Sequence, residues 1–212
     1  FTTGCTPPAA AGAVTGPASV CQGSAAVVFG VPAIANATSY VWTLPVGATV
    51  VSGSGTNSIT VDFAETAVSG DISVYGTSDC SNGAASTLAL TVNPLPSPTL
   101  TVGPLGVCVG STGVVYSTTA GMTAYSWSVS AGGTITAGAG TNSVTVNWNT
   151  VGNQTISVNY TSTLGCTPAS PTQFTVNVVP FPVPVISGSA NACQGFATNV
   201  YTTDAGMTGY SW

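Results

Sequence analysis

The chain contains 212 residues, of which none is Lys, Arg or His and only five are acidic, so its formal net charge at pH 7 is −5. Ordinary soluble domains are about 25% charged, whereas this chain is 2% charged. Nucleic-acid binding, attraction to anionic membranes and histidine-dependent catalysis or zinc ligation all need side chains that are missing. We therefore expect no enzyme, no cofactor and no nucleic-acid partner.

The chain repeats itself at an interval of 85 residues. Tyr40-Val41-Trp42 returns as Tyr125-Ser126-Trp127 and again as Tyr210-Ser211-Trp212. A fixed period indicates one structural unit copied in tandem, and this period suits a small autonomous domain. In chain order we predict the end of a preceding repeat with an atypical junction, two complete repeats and the start of a truncated further repeat, at residues 1–13, 14–97, 98–183 and 184–212.

Each predicted repeat consists of short segments in which apolar and hydroxyl or amide residues alternate. Phe174-Thr175-Val176-Asn177-Val178 is one example, and glycines punctuate the segments as turns. This period of two is typical of half-buried antiparallel strands. The longest apolar stretch, Ala25–Ala35, is interrupted by Gly30 and Pro32 and is far shorter than the roughly 20 residues of a membrane-spanning helix. Six or seven strands in each repeat predict a β-sandwich and no membrane span.

Proline-rich segments separate the predicted repeats. Residues 94–98 read Pro-Leu-Pro-Ser-Pro, and residues 180–184 read Pro-Phe-Pro-Val-Pro. Alternate prolines keep a backbone extended and stiff. We interpret the two segments as spacers that hold successive sandwiches apart, although a strand that simply ends at a sheet edge would have a similar composition.

The six cysteines follow the repeat and predict disulfides, which form in oxidising compartments. The candidates within the complete repeats are Cys21, Cys80, Cys108 and Cys166. The simplest pairing is one bridge in each complete repeat, with Cys5 and Cys193 bonded to partners beyond these 212 residues. A bridge between neighbouring repeats is the alternative, since the two cysteines of one sandwich can lie near opposite ends.

The motifs V-C-x-G, Y-S-W-S-V, G-x-G-T-N-S-V-T-V, G-C-T-P and P-x-P-x-P together resemble the PKD-like, immunoglobulin-like repeats of giant Bacteroidota cell-surface proteins, which include gliding adhesins and type IX secretion substrates. The resemblance covers essentially the whole chain. It implies an extracellular stalk or adhesive filament at the outer cell surface. PKD domains typically carry an Asp in the turn after the motif tryptophan, and here Gly132-Gly133 follows without one.

Two sets of residues suggest ligand binding and have simpler structural interpretations. Exposed tryptophans can stack on sugars, but Trp42, Trp127 and Trp212 alternate with small polar residues, which favours a core position. Carboxylates can bind Ca²⁺, which takes six to eight oxygen ligands. However, four of the five acids are scattered through one repeat without a calcium-loop motif, namely Asp62, Glu65, Asp71 and Asp79.

Two functions fit these features. The first is an extracellular structural repeat protein. It would form a surface stalk or filament whose sandwiches are cross-linked by disulfides and joined by proline-rich spacers. The second is an adhesin or carbohydrate-binding repeat array that mediates attachment or gliding and contacts surface glycans. Strand edges without Lys or other charges lack the usual guard against pairing, so we also expect self-association into filaments alongside contacts between neighbouring repeats.

Overall fold

The computed structural model describes residues 5–195 and 198–211, and within them the regular secondary structure is entirely β. These residues contain no helix of the length and apolarity that crossing a bilayer requires. The predicted all-β fold is confirmed, because two consecutive sandwiches of about 85 residues follow each other along the chain. The first is built from β1 (Ser19–Cys21), β2 (Val27–Gly30), β3 (Ser39–Thr43), β4 (Ala48–Ser52), β5 (Ser58–Phe63), β6 (Gly70–Thr77) and β7 (Ser86–Asn93).

The first sandwich has one sheet in the order β1-β7-β6-β3 and a facing sheet in the order β2-β5-β4. All neighbours are antiparallel except β1 and β7, which run parallel with Cys21 opposite Asn93. A single bridge between Thr15 and Gly30 extends the second sheet by the chain that precedes β1. A strand that switches between the two sheets in this way is an arrangement that immunoglobulin-like sandwiches use.

The second sandwich repeats this topology. Its strands are β8 (Leu100–Val102), β9 (Gly106–Cys108), β10 (Ser111–Thr118), β11 (Thr123–Val129), β12 (Gly133–Ala137), β13 (Ser143–Trp148), β14 (Gly152–Thr161) and β15 (Thr172–Val179). They form sheets in the orders β11-β14-β15-β9 and β12-β13-β10-β8, and β9 runs parallel to β15 as β1 does to β7. The strand β8 corresponds to the Thr15 bridge of the first sandwich.

Each sandwich has its own hydrophobic core. The alternation predicted from sequence is clearest in β5 and β13, where every second side chain is buried. The buried residues of these two strands are Ile59, Val61, Phe63, Val144, Val146 and Trp148. Full burial of side chains of this size contributes about 1.5–3 kcal/mol each before the entropy cost of folding is counted.

The residues after the second sandwich make local contacts like those near the start of the two sandwiches. Ser187 bridges Thr202, as Thr15 bridges Gly30. The ring of Tyr201 lies against Gly188 just as Tyr116 lies against Gly103. A side chain at either glycine would collide with the ring, because an added Cβ would overlap the aromatic carbons. These two contacts resemble those near the start of each sandwich, while the predicted start of a further repeat at residues 184–212 stays a prediction.

The chain before β1 lies along the first sandwich. Ala9 N–H donates to Ala35 O at 3.0 Å and Ala11 N–H donates to Ala84 O at 3.0 Å, which fastens the segment to two loops at one end of the sandwich. Val14 is buried in the first core. These contacts join residues 9–14 to the sandwich that follows, while the predicted boundary at residue 14 stays a prediction.

Candidate functional site: the cysteine junctions

Cys21 and Cys108 occupy the same place in the two sandwiches and are called the strand-end cysteines below. Cys21 is the last residue of β1, opposite Asn93, which is the last residue of β7. Cys108 is the last residue of β9, opposite Val179 at the end of β15. Both therefore lie at the end of the sandwich where the chain leaves for the proline-rich spacer.

Cys80 and Cys166 lie in the β6–β7 and β14–β15 loops and are called the loop cysteines below. In each loop a serine hydroxyl accepts a hydrogen bond from the cysteine N–H, from Cys80 to Ser78 Oγ at 3.3 Å and from Cys166 to Ser162 Oγ at 3.2 Å. In the first sandwich, β7 begins just after the loop that contains Cys80 and ends beside Cys21. The loop cysteine and the strand-end cysteine therefore lie at opposite ends of that sandwich.

The disulfides join Cys21 to Cys166 and Cys5 to Cys80, each with a Cα–Cα distance of 5.6 Å. The expected pairing within each repeat, Cys21 with Cys80 and Cys108 with Cys166, is therefore wrong. The eight residues of β7 span about 23 Å, whereas a disulfide needs Cα atoms roughly 4.4–6.8 Å apart. The strand-end cysteine of the first repeat instead bonds to the loop cysteine of the second, as the alternative pairing had it.

Cys5 also differs from its expected role, because its partner lies within the chain. Pro8 and Ala9 lie against Gly83 of the β6–β7 loop. The residues just before them are therefore close to this loop, and Cys5 bonds to Cys80 there. Among the described residues the cysteines left as thiols are Cys108, which is half-buried, and Cys193, which is exposed.

Gln22 organises the junction beside Cys21, a role that the sequence did not predict. Its Nε2 donates to Ala67 O at 3.0 Å, and its Oε1 accepts from Leu95 N–H at 3.3 Å. The side chain thus fastens the spacer to the end of the first sandwich. The signal was the recurrence of Cys-Gln-Gly at Cys21 and Cys193, although the second repeat has Val109 at this position.

The motif tryptophans use their indole N–H groups inside the protein. Trp42 is half-buried against the first core and donates to Thr56 O at 2.9 Å. Trp127 is buried in the second core and donates to Thr141 O at 2.8 Å. The bonds secure equivalent turns, the one between β4 and β5 in the first sandwich and the one between β12 and β13 in the second. Trp212 lies outside the described residues.

The acidic residues do not gather into a ligand set. Asp62 Oδ1 accepts from Ala26 N–H at 2.7 Å, and in the second sandwich Asn147 Oδ1 accepts from Gly113 N–H at 2.8 Å. An amide thus takes the structural position of the carboxylate. Across residues 5–195 and 198–211, no three His, Cys, Asp or Glu side chains come together in a way that would hold a metal ion.

Tyr116 in the second core is a titratable group whose environment shifts its pKa. Burial raises the pKa of the Tyr116 hydroxyl above its ordinary value of 10.0, and the hydrogen bond from Trp148 opposes this to a smaller extent. Tyr116 Oη in turn donates to Pro104 O at 3.0 Å. A neutral hydroxyl that both accepts and donates is a packing element of the core, and it has no access to a substrate.

The fold and its junction define a class: tandem immunoglobulin-like β-sandwich repeats in which consecutive repeats are joined by a disulfide. The chain belongs to the PKD-like domain family, whose model matches residues 7–90 and 94–176. None of the curated proteins matches the chain.

Similar solved structures include a chimeric titin Z1Z2, at 16% identity and a TM-score of 0.29, covering 84% of this chain and 95% of that one. The D00–D0 domain of intimin is 12% identical with a TM-score of 0.39, covering 79% and 98%. The S-layer protein rSbsC is 15% identical with a TM-score of 0.32, covering 78% and 28%.

Proposed function

We propose that this chain is an extracellular structural segment, a stalk or filament section of an outer cell-surface protein of the kind its motifs resemble. The observation that carries the proposal is the Cys21–Cys166 bond. A catalytic role is not part of it, because no described cluster of side chains offers the acid–base or nucleophilic groups of an active site.

The bond turns a single-chain connection between two sandwiches into a double one. A peptide spacer alone restrains one end of the second sandwich and allows it to swing and twist. A second covalent link at Cys21 and Cys166 opposes both motions, and the Gln22 contacts hold the spacer against the first sandwich. Stiffness at the joints is the property that a stalk needs and that a freely jointed string lacks.

The composition suits the same role. Disulfides persist in oxidising compartments, and a chain without Lys or Arg offers no site to trypsin-like proteases. The edge strand β4 exposes Val50 and Val51 and carries no charge. Because charged side chains are the usual protection against edge-to-edge pairing, we extend the proposal to lateral association of such segments into a filament.

Small-angle X-ray scattering tests the stiffness directly. All variants would carry Cys108→Ser and Cys193→Ser, which removes the two free thiols. We expect Cys21→Ser with Cys166→Ser to broaden the distance distribution and shorten the mean separation of the sandwiches. The matched control is Cys5→Ser with Cys80→Ser, which deletes the other bridge and leaves the junction intact. Equal distributions for the two double variants would refute the proposed function.

Lateral association has its own test. We expect electron microscopy to show fibres with axial symmetry, and Val51→Lys to disperse them, because a charge on an unpaired edge strand opposes pairing. Val115→Lys, at an exposed position on β10, which lies between β13 and β8 inside its sheet, is the control. Single beaded strings both in the unaltered chain and in Val51→Lys would refute lateral association and leave the stalk proposal standing.

The adhesin or carbohydrate-binding alternative predicts retention on a glycan array. Neither Trp42 nor Trp127 presents a free indole N–H to solvent, so no observation in the structure favours this second function. Binding that Trp42→Phe abolishes while the fold is retained would shift the proposal to that alternative.

A further inference from the structure

Cys108 is placed as Cys21 is, yet it has no partner within the described residues. The two strands that carry these cysteines pair in parallel with the last strand of their sandwich, and both cysteines oppose its last residue. The residue after each cysteine donates its N–H to that same partner, Gln22 to Asn93 O at 2.9 Å and Val109 to Val179 O at 2.8 Å. The backbone therefore presents both thiols in the same way.

The surroundings of Cys108 lead to another repeat, as those of Cys21 do. A proline-rich spacer follows Val179 as one follows Asn93. Phe181 of that spacer packs close to Gly110, two residues after Cys108, since a Cβ added to the glycine would lie 3.7 Å from the phenyl ring. The unit beyond the spacer starts with the bridge and the glycine–tyrosine contact of a PKD-like repeat.

We propose that Cys108 is the cross-linking site for the next repeat and bonds to its loop cysteine, the residue equivalent to Cys166. The rule this implies is that the strand-end cysteine of each repeat bonds to the loop cysteine of the repeat that follows. By this rule Cys193 is the strand-end cysteine of the third repeat, and it bonds to the loop cysteine of the fourth. The loop cysteine of the first repeat, Cys80, is bonded to Cys5.

The bond forms by ordinary thiol–disulfide chemistry. The Cys108 thiol and the loop thiol each lose a proton, and their sulfur atoms join. The two electrons and two protons pass to a small-molecule disulfide such as oxidised glutathione, which becomes two thiols. Half-burial leaves Cys108 open to such an oxidant until the following repeat covers it.

The inference deepens the proposed function, but the two can fail separately. If Cys108 bonds as proposed and scattering shows flexible joints, the stalk role fails and the cross-linking rule stands. If the Cys21–Cys166 joint is stiff and Cys108 stays a thiol, the stalk role stands and the rule fails.

The test uses a chain with three sandwiches. Residues 1–184 are followed by a second copy of residues 99–183, so that the third sandwich has the sequence of one already seen folded. Leu164→Val in that copy, at an exposed position, gives its loop peptide a distinct mass. After oxidation with glutathione, free thiols are alkylated and the bridges are mapped by mass spectrometry after chymotrypsin digestion, because trypsin has no site.

We expect Cys108 bonded to the copied loop cysteine and one alkylated thiol per chain, the copied strand-end cysteine. Adding Cys108→Ser should raise the count of alkylated thiols to two. A bridge inside the copied repeat, or three alkylated thiols, would overturn the rule.

A second chain repeats the test with the native residues after the spacer, as a control for misfolding of the junction in the first chain. It appends residues 128–183 after Trp212 and so completes the native third unit, in which Cys193 competes for the same loop cysteine. A Cys108 bond is expected here as well, and a bond from Cys193 to that loop cysteine would overturn the rule.

Discussion

Trp148 Nε1 donates a hydrogen bond to Tyr116 Oη at 3.0 Å in the centre of the second sandwich, where both side chains are fully buried. Their rings meet edge to face with centroids 6.3 Å apart. In the first sandwich the equivalent rings are Phe29 and Phe63, at 6.4 Å and without any polar atom. The same ring geometry therefore serves two repeats, and only the second adds a polar link.

Removing the hydroxyl should destabilise the second sandwich. Tyr116→Phe leaves Trp148 N–H and Pro104 O without their partner, and an unsatisfied buried group costs about 1–3 kcal/mol. We expect the loss in the free energy of unfolding to fall in that range in urea denaturation. Adding Trp148→Phe should cost less than the sum of the single changes, because the double variant recreates the apolar pair of the first sandwich. Tyr201→Phe, at an exposed ring, is the control, and additive losses would contradict this account.

The stability of the second sandwich should fall at alkaline pH. The pKa of Tyr116 is raised in the folded state by burial, so the contribution of its neutral form is complete below pH 10 and is lost as pH rises through the folded-state pKa. No lysine titrates in this range. Thermal unfolding between pH 9 and 11.5, in the background without free thiols, should show this decline, and Tyr116→Phe should flatten it. An unchanged slope would refute the assignment to Tyr116.

The Cys5–Cys80 bridge should stabilise the first sandwich. It closes a loop across a sequence separation of 75 residues, for which the chain-entropy model gives about 4 kcal/mol, and native bridges commonly contribute 2–5 kcal/mol. We expect Cys5→Ser to lower the unfolding temperature of the first sandwich, measured by calorimetry, and Cys193→Ser to leave it unchanged. Equal unfolding temperatures for Cys5→Ser and the unaltered chain would show that the bridge restrains nothing in the unfolded state.

Asp62 should act through its hydrogen bond to Ala26 N–H and not through its charge. Asp62→Asn reproduces the arrangement of Asn147 and should change stability by less than about 0.5 kcal/mol, whereas Asp62→Ala leaves the amide unpaired and should cost about 1 kcal/mol. Denaturant titration distinguishes the two. Calcium chloride should leave the unfolding temperature of both variants and of the unaltered chain the same. A rise in unfolding temperature confined to the unaltered chain would indicate a calcium site that includes Asp62.

Local pattern was sufficient to predict the fold from sequence. The 85-residue recurrence predicts tandem units, and alternation such as Phe174–Val178 predicts strands, because side chains on a strand point alternately to the two faces. The same reasoning placed the motif tryptophans toward the core, where the structure has Trp127 buried and Trp42 half-buried. It did not foresee Gln22, since a side chain that bridges Ala67 and Leu95 depends on contacts distant in sequence.

The sequence by itself determined the repeat, the β-sandwich class and the lack of cationic chemistry, all of which follow from composition and short-range periodicity. The tertiary structure alone decided which cysteines bond. The sequence specifies only how many residues lie between Cys21 and Cys80. Whether a disulfide forms depends on the distance between the two thiols in space, and the length of β7 separates these two. The path of the spacer then brings Cys166 of the next sandwich to Cys21, because the end at which one repeat finishes is the end on which the next is placed.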